Sequence, residues 1–384
     1  MEQAYLNHLL SLPAPLFLLC RTATGYVLLD RQGALALASR LAGAVAWGGP
    51  DLAGFLSRKL PAPRRRAEAD LRRLSMARAR RGRLARLLRT HLPEGTAYLN
   101  VGHSNLHPEV FEAWRALPGA RVGVLVHDTI PLDYPGFQRP GTPARFEAML
   151  RRVGASADLA IYNSEATRTA SESWFARWGR VPPGVVAHLG VVPAPPDPAA
   201  LPPGLSLPHP YFLALGTIEP RKNHALLLDV WQALSAELPP EDLPGLVIVG
   251  SRGWENEEVF RRLDALSPKA GIVELSNLSD GAVTALIDGA AALLFPSRAE
   301  GYGLPPMEAA ARGTPTICAN LPVYREILGD YPVYADPDDV YFWKQSIRNL
   351  AESMQAGQSG EGTRRVPPDL PDWSSHFGVV LART

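Results

Sequence analysis

Cysteine and long apolar runs are nearly missing from this sequence. Its 384 residues contain only Cys20 and Cys318, which lie far apart and form no motif. Such sparse cysteine usage is typical of a protein from a reducing compartment. No apolar run reaches the ~18 residues that a membrane-spanning helix needs. Residues 9–20 are apolar, but they contain two prolines and follow no basic segment, so they do not fit a signal peptide. We therefore expect a cytoplasmic location, either free or at the inner face of the membrane.

An excess of charge is also missing. The net charge is +1, from 39 basic and 38 acidic residues, which argues against a nucleic-acid-binding protein held by bulk charge. The chain is longer than a usual single domain, and its 46% hydrophobic content is enough for real cores. These features predict two globular domains.

Proline and glycine, in contrast, are abundant and divide the chain. Residues 181–210 are the densest stretch and predict a semi-rigid connection between two domains. Short apolar runs on both sides of it predict buried strands, at residues 122–126, 159–162, 211–215, 246–250 and 291–295. We accordingly assign residues 1–195 to a first domain and 196–365 to a second. A last segment, residues 366–384, contains a predicted helix, and residues 357–362 predict a flexible break before it.

The most informative stretch is residues 296–315, P-S-R-A-E-G-Y-G-L-P-P-M-E-A-A-A-R-G-T-P, which follows the strand predicted at 291–295. Gly301 and Gly303 make a turn before a helix that we predict from about residue 305 to 313. A strand, a glycine turn and a helix N-terminus in this order direct backbone N–H groups at a ligand above the strand. Glu300 and Glu308 flank the turn. Either alone is commonly a surface or helix acid, but glycines that let a ligand approach the backbone favour a binding site.

A second unit of this kind opens the second domain. The string G-T-I-E-P-R-K-N begins at Gly216, follows the strand at 211–215 and precedes a helix predicted over 225–237. Arg221 and Lys222 stand at the start of that helix. Two cations beside a glycine turn and a helix N-terminus favour a diphosphate, whereas an isolated pair of this type would be two surface bases.

Polar residues also follow two predicted strands of the first domain. His127 and Asp128 come directly after the strand at 122–126, and carboxyl ends of parallel strands build ligand sites. For His127 we favour a functional role over that of a core histidine. For His103 and Asn105, in the string G-H-S-N, both interpretations stay open.

Residues 296–315 resemble the E-x7-E signature of retaining glycosyltransferases of family four, which have the GT-B fold. The resemblance covers roughly residues 102–338 and includes the R-K pair. It implies an α/β protein with two doubly wound, Rossmann-like domains facing across a cleft, the first on the acceptor side and the second binding the nucleotide sugar. It also implies that the helix within residues 366–384 returns to the first domain. The string around His127 is similar to that of bacterial mannosyltransferase-like (group 1) members.

The resemblance also implies roles for individual residues. Glu300 would hold hydroxyls of the donor sugar, with His127 near the same sugar, and Glu308 would bind the nucleotide ribose. Arg221 and Lys222 would bind the donor diphosphate beside the turn at Gly216. The backbone of Tyr302, Gly303 and Leu304 would hold the sugar and diphosphate.

The activity implied is transfer of a hexose, with retention, from a nucleotide sugar to a glycan or a polyprenyl-diphosphate-linked glycan in polysaccharide biosynthesis. The string around His127 favours GDP-mannose as the donor. No metal or other cofactor is expected, because cations and helix dipoles would stabilise the leaving diphosphate. No nucleic-acid partner is expected either, because the net charge is close to zero. Three alternatives stay open: a nucleotide-sugar epimerase with the GT-B fold, an inactive nucleotide-sugar-binding protein, and a membrane-bound interaction protein.

Two segments depart from the family pattern. Residues 64–89 carry eleven Arg and predict a basic amphipathic helix. A solvated surface and attraction to an anionic membrane or lipid diphosphate explain this helix equally well. Residues 2–11 predict a helix where relatives have a strand and a glycine loop just upstream. We expect that strand and loop to be absent from the first domain, and turnover to be reduced as a result.

Overall fold

A computed structural model of the chain describes residues 1–57, 59–267, 269–354 and 365–384. The flexible break predicted at residues 357–362 lies outside these ranges. In the part described, no helix combines the length and the apolar character that crossing a bilayer requires.

The first domain begins with a small antiparallel sheet in the order β1-β2-β3 and the helices around it. The five residues of β2 are all buried, and β1 and β3 pair with its two edges. The elements are α1 (Glu2–Ser11), β1 (Leu18–Thr22), β2 (Gly25–Leu29), α2 (Arg31–Leu41), α3 (Leu52–Leu56), α4 (Ala62–Leu74) and β3 (Ala77–Ala79).

A parallel sheet in the order β4-β5-β6-β7 follows, so the carboxyl ends of its strands share one edge. Its central strands are apolar because helices cover both faces. The elements are α5 (Leu84–His91), β4 (Ala97–Asn100), α6 (Pro108–Arg115), β5 (Arg121–Val126), α7 (Ile130–Asp133), α8 (Thr142–Ser156), β6 (Leu159–Tyr162), α9 (Glu165–Arg177) and β7 (Gly184–Val186).

The second domain is a parallel sheet in the order β10-β9-β8-β11-β12-β13. The chain order reverses between β8 and β11, which is the switch point where doubly wound sheets bind ligands. The elements are β8 (Tyr211–Leu215), α10 (His224–Glu237), β9 (Gly245–Val249), α11 (Glu257–Asp264), β10 (Ile272–Leu275), α12 (Asp280–Gly289), β11 (Ala292–Phe295), α13 (Leu304–Ala311), β12 (Thr316–Ala319), α14 (Pro322–Leu328), β13 (Val333–Ala335) and α15 (Val340–Ser353). The two strands that precede the predicted motifs, β8 and β11, are thus neighbours at the switch point.

The chain crosses between the domains twice, and the crossings touch. The backbone N–H of Val191, on the outward crossing, donates to the carbonyl oxygen of Pro371 on the return, at 3.1 Å. A β-carbon at Gly190 would lie 2.4 Å from the backbone nitrogen of Trp373, so only glycine fits there. After the return crossing, α16 (Trp373–Leu381) packs on α1, where the Tyr5 hydroxyl lies 2.7 Å from Nε2 of His376.

Two sequence-based predictions are wrong in this part of the chain. Residues 64–89 do not form one helix: α4 ends at Leu74, β3 follows, and α5 begins at Leu84. The break arises because the edge of the buried strand β2 needs backbone partners, and β3 supplies them. Residues 181–210 are not only a connection, since β7 lies within them and pairs with β6.

Candidate active site

The first wall of the site is the turn after β8. Gly216 has a φ of 130°, and a β-carbon there would lie 3.2 Å from Cε of Lys222. Arg221 and Lys222 lie on a 3₁₀ turn, Pro220–Lys222, one residue before α10 rather than on the helix itself. Asn223 then takes a left-handed φ of 56° and makes no side-chain cap for α10. The first N–H groups of α10 therefore remain available beside two cations.

The second wall is the turn after β11. Gly303 has a φ of 88° and precedes α13 without a side-chain cap. A β-carbon at Gly303 would lie 2.4 Å from Cε1 of Tyr324, so the turn needs glycine for both its φ and its packing. The Tyr302 side chain is buried and donates its hydroxyl to the carbonyl oxygen of Leu189 at 2.7 Å. That bond fixes the turn to the connection between the domains.

The two walls are joined by ion pairs at Glu300. Its carboxylate lies 2.5 Å from Nζ of Lys222 and 2.9 Å from Nη1 of Arg221, and its side chain is 8% exposed. Nε of Arg221 also lies 2.7 Å from Glu219. The ammonium of Lys222 stacks on the ring of Phe295, 4.5 Å from its centroid. The R-K pair and the first Glu of E-x7-E therefore form one cluster of charges.

Burial and charge act in opposite directions on the pKa values of this cluster. Burial by itself would raise the pKa of Glu300. The charges of Lys222 and Arg221 lower it by more than burial raises it, so the pKa lies below its usual value. For Glu219 burial dominates, and the pKa is raised despite the same two cations. Burial likewise lowers the pKa of Lys222, against the attraction of Glu300. Glu300 is thus held as the anion between two cations.

The first domain supplies the third wall. A β-carbon at Gly301 would lie 2.5 Å from the carbonyl oxygen of His127 and 2.8 Å from Cβ of Asp128, so the glycine turn touches the end of β5 directly. Oγ1 of Thr167, on α9, donates to the carbonyl oxygen of Gly301 at 3.1 Å. Burial raises the pKa of Asp128, while Arg221 opposes this shift and Glu300 adds to it. The structure therefore brings His127 and Asp128 to the Glu300 cluster.

The His127 ring is fixed by its neighbours. Its Nε2 lies 2.8 Å from the carbonyl oxygen of Val101, and its ring centroid lies 4.5 Å from that of His103. Burial, and then the charge of His127, lower the pKa of His103 to about 3. His103 and Asn105 both have left-handed φ values, 54° and 58°. Nε2 of His103 accepts the backbone N–H of His127 at 3.3 Å, so His103 supports the loop at the end of β5.

The second Glu of the motif lies in a different cavity. Glu308 lines a space of about 240 Å³ together with residues 192–195 of the connection, Asp280 and Thr284. Burial, and then the charge of Asp280, raise the pKa of Glu308. The seven residues between Glu300 and Glu308 thus place one carboxylate at the cations and the other at a pocket next to the connection.

Sequence reasoning missed two groups that belong to this region. Glu219 is 2% exposed and pairs with Arg221, and its Oε2 has no hydrogen-bond partner among the described residues. Its position inside the string G-T-I-E-P-R-K-N was the available signal. Glu326, on α14, accepts the backbone N–H groups of Glu165 and Ala166 at 2.7 and 3.1 Å, and no local pattern predicts such a contact between domains.

Comparison with known proteins agrees with this architecture. Residues 203–356 match the family model described as glycosyl transferases group 1. The serotype-specific mannosyltransferase WbdA of Escherichia coli is 32% identical over 250 residues, which are 60% of this chain and 30% of WbdA. The O-antigen chain mannosyltransferase RfbU of Salmonella typhimurium is 33% identical over 176 residues, 45% of this chain and 42% of RfbU. The chain spans less than half the length of these curated relatives.

Two solved structures share the fold. TarM aligns with a TM-score of 0.59 at 12% identity, over 82% of this chain and 60% of TarM. An α,α-trehalose-phosphate synthase (UDP-forming) from Burkholderia xenovorans aligns with a TM-score of 0.52 at 11% identity, over 97% of this chain and 87% of that one. The predicted GT-B architecture is confirmed. The match of residues 203–356 to the group 1 glycosyl transferases agrees with the E-x7-E resemblance found in the sequence.

Proposed function

We propose that this chain is a retaining glycosyltransferase that moves a hexose from a nucleotide sugar to a glycan acceptor. One observation carries the proposal: the glycine turn at Gly301 contacts His127 and Asp128, while Glu300 of the same turn holds Arg221 and Lys222. The groups of the second domain that would bind the donor thus lie against a strand end of the first domain.

The roles follow from charge and position. Arg221 and Lys222, beside the uncapped start of α10, would neutralise the donor diphosphate and the charge that it gains on leaving. The bond between the anomeric carbon and the diphosphate oxygen breaks, and the acceptor hydroxyl forms the new glycosidic bond on the same face. Its proton passes to the departing phosphate, so neither a protein nucleophile nor a metal takes part in the proposed step.

The remaining groups would position the donor. Glu300, beside the Gly301 turn that contacts His127, would hold hydroxyls of the sugar, and the backbone N–H groups of Gly303 and Leu304 would hold the diphosphate. Glu308, in the cavity beside the connection, would accept hydroxyls of the ribose. A carboxylate can accept two such hydroxyl donors at once.

The names of the relatives narrow the choice of donor and acceptor. WbdA and RfbU are called mannosyltransferases, and RfbU is named for the O-antigen chain. We therefore infer GDP-mannose as the donor and a growing polysaccharide, free or linked to a polyprenyl diphosphate, as the acceptor. With a lipid-linked acceptor the protein would work in the cytoplasm at the inner face of the membrane.

A ligand screen followed by a product assay tests the proposal. GDP-mannose, UDP-glucose and ADP-glucose are each added to the purified chain in a thermal-shift measurement. A ligand at 100 times its dissociation constant stabilises the folded state by about 2.7 kcal/mol. We expect GDP-mannose to raise Tm most, and the effect to shrink in Arg221→Ala.

The product distinguishes the alternatives. Released GDP together with a mannosylated acceptor indicates transfer, a changed sugar still attached to the nucleotide indicates an epimerase, and binding without product indicates an inactive binder. Absence of any Tm shift with all three nucleotide sugars would overturn the proposal itself.

A further inference from the structure

The arginines of residues 64–89 have two different environments. Three of the five arginines of α4 form ion pairs: Arg64 pairs with Glu68, Arg72 lies 2.6 Å from Asp51, and Arg73 lies 2.8 Å from Asp70. Those after α4 are not paired in this way. Among the described residues, none of Arg78, Arg80, Arg83 and Arg86 forms an ion pair, and each is exposed.

These four unpaired side chains surround one space. A cavity of about 740 Å³, here called the arginine cavity, lies between β3 and the outer face of α5. Its polar lining consists of Arg78, Arg80, Arg83, Arg86, Thr90 and His91. Leu84 and Leu88 of α5 are buried on the opposite side, so the packing of the helix determines which face carries the charge.

The spacing brings the charges together. Arg78 and Arg80 are two residues apart on an extended segment and share one face of it. Arg83 immediately precedes α5, and Arg86 lies three residues later on its first turn, so the two side chains line the same cavity. Like charges held this close repel each other and slightly destabilise the fold. No carboxylate among the described lining residues offsets this repulsion.

We propose that the arginine cavity binds a ligand that carries phosphoryl groups. Guanidinium groups bind phosphate oxygens in a forked, bidentate manner, and Thr90 adds a hydroxyl donor. A phosphate monoester carries about −1.5 to −2 charges near pH 7, so two phosphoryl groups match four guanidinium groups. None of the cavity residues belongs to the candidate active site, so this is a second anion site. Its ligand is either a free diphosphate or a phosphate headgroup at a membrane surface.

The test compares two double variants that remove the same charge. Arg83→Gln/Arg86→Gln changes the cavity, whereas Arg89→Gln/Arg115→Gln changes exposed arginines outside its lining. All four positions are on the surface, and thermal melts check that both variants fold. Inorganic diphosphate is titrated into each by calorimetry. Each variant is also pelleted with vesicles of phosphatidylcholine, with and without phosphatidylglycerol.

The proposed donor site also takes a diphosphate, so all titrations are repeated with Arg221→Ala in the same chain. We expect the cavity variant to lose about 10-fold or more in affinity, whichever residue is at position 221, while the control variant keeps its affinity. If Arg221→Ala alone lowers the affinity for diphosphate and the cavity variant does not, the diphosphate binds at the donor site and the result counts against the cavity.

The two assays together identify the source of the ligand. Diphosphate binding that depends on Arg83 and Arg86, without vesicle binding, indicates a free ligand. Pelleting with phosphatidylglycerol vesicles that is lost only in the cavity variant indicates a headgroup. If the cavity and control variants behave alike in both assays, the proposal is wrong, and the arginines serve only to keep the edge strand β3 from pairing with other chains.

Discussion

At the scale of single residues, the carboxylate of Glu300 has the largest effect on how the proposed donor site binds a diphosphate. It accepts from both Arg221 and Lys222, the two cations assigned to the donor diphosphate. An entering diphosphate therefore competes with Glu300 for the same donors. The carboxylate also keeps two close, buried cations from repelling each other in the free protein.

Glu300→Gln should therefore separate affinity from turnover. Loss of the competing charge frees both cations, and we expect nucleoside diphosphate to bind about 10-fold more tightly. Turnover should fall by about 10²-fold, because a contact to the reacting sugar is weakened. Calorimetry with GDP and a transfer assay measure the two effects. Glu308→Gln, in the cavity proposed to take the ribose, is the matched control and should weaken GDP binding. A weaker GDP complex in Glu300→Gln would contradict the competition.

A second prediction at this scale concerns Asp51 and acid. The hydrogen bond from Arg72 is the main reason that the pKa of Asp51 falls from 3.8 to about 2. A carboxyl group whose pKa is lower in the folded than in the unfolded state stabilises the fold at any pH above its unfolded-state pKa. This stabilisation is lost as the pH falls through the folded-state pKa. The contribution of this pair is thus present above about pH 4 and lost towards pH 2.

Arg72→Gln should accordingly lower the free energy of unfolding at pH 7 by about 2 kcal/mol, since a charge-assisted hydrogen bond is lost. The decline in stability between pH 4 and 2 should also become shallower. Urea unfolding at several pH values measures both. Arg64→Gln, whose side chain is 56% exposed, is the control and should have little effect. An unchanged acid limb in Arg72→Gln would contradict this account.

At the scale of elements, the turn between β11 and α13 joins the two domains. Gly301→Ala should force this turn away from β5, because the new β-carbon would lie 2.5 Å from the carbonyl oxygen of His127. A displacement of about 1 Å can cost 10²-fold in rate, and we expect a loss of that order in turnover. Gly378→Ala, on α16 with no atom within 4 Å of the new β-carbon, should leave turnover unchanged. Full activity in Gly301→Ala would show that the domains do not close at this contact.

Elements with local signals could be predicted from the sequence, and those that depend on distant partners could not. The turn at Gly301 and Gly303 and the helix after it follow from glycine, proline and apolar runs within 20 residues. β3 was missed because its strand conformation depends on pairing with β2, some 50 residues earlier. β7 was missed for the same reason, since its partner β6 lies before α9. The pairing of Glu300 with Arg221 joins residues 79 apart, and nothing in the sequence predicted it, although the family resemblance implied that both residues lie near the donor.

At the scale of the whole molecule, Glu326 holds the domains together. Its carboxylate accepts two N–H groups at the start of α9 and lies 2.7 Å from Nε2 of His188. Burial raises the pKa of Glu326, but the bonds from His188 and the α9 backbone lower it below its usual value. An anion at a helix N-terminus is worth about 0.3–1 kcal/mol, and up to 2 when partly buried.

Glu326→Ala should therefore shift the protein towards an open arrangement of its domains. We expect a larger radius of gyration in small-angle X-ray scattering and a higher KM for the donor. Glu172→Gln, which alters an ion pair within α9 only, is the control and should change neither. Scattering curves that superimpose for Glu326→Ala and the unmodified protein would exclude a closing role for this carboxylate.

The two crossings at Gly190 and Trp373 restrict how such opening can occur. A single covalent linker would let one domain rotate freely about several axes. Two chain segments that are hydrogen-bonded side by side instead define one fixed axis for the rotation of the domains. Opening then approaches a motion with one degree of freedom, in which each atom moves in proportion to its distance from that axis. A larger side chain at Gly190 would displace the axis itself, so it would alter the closed geometry of the cleft without touching a single residue that lines it.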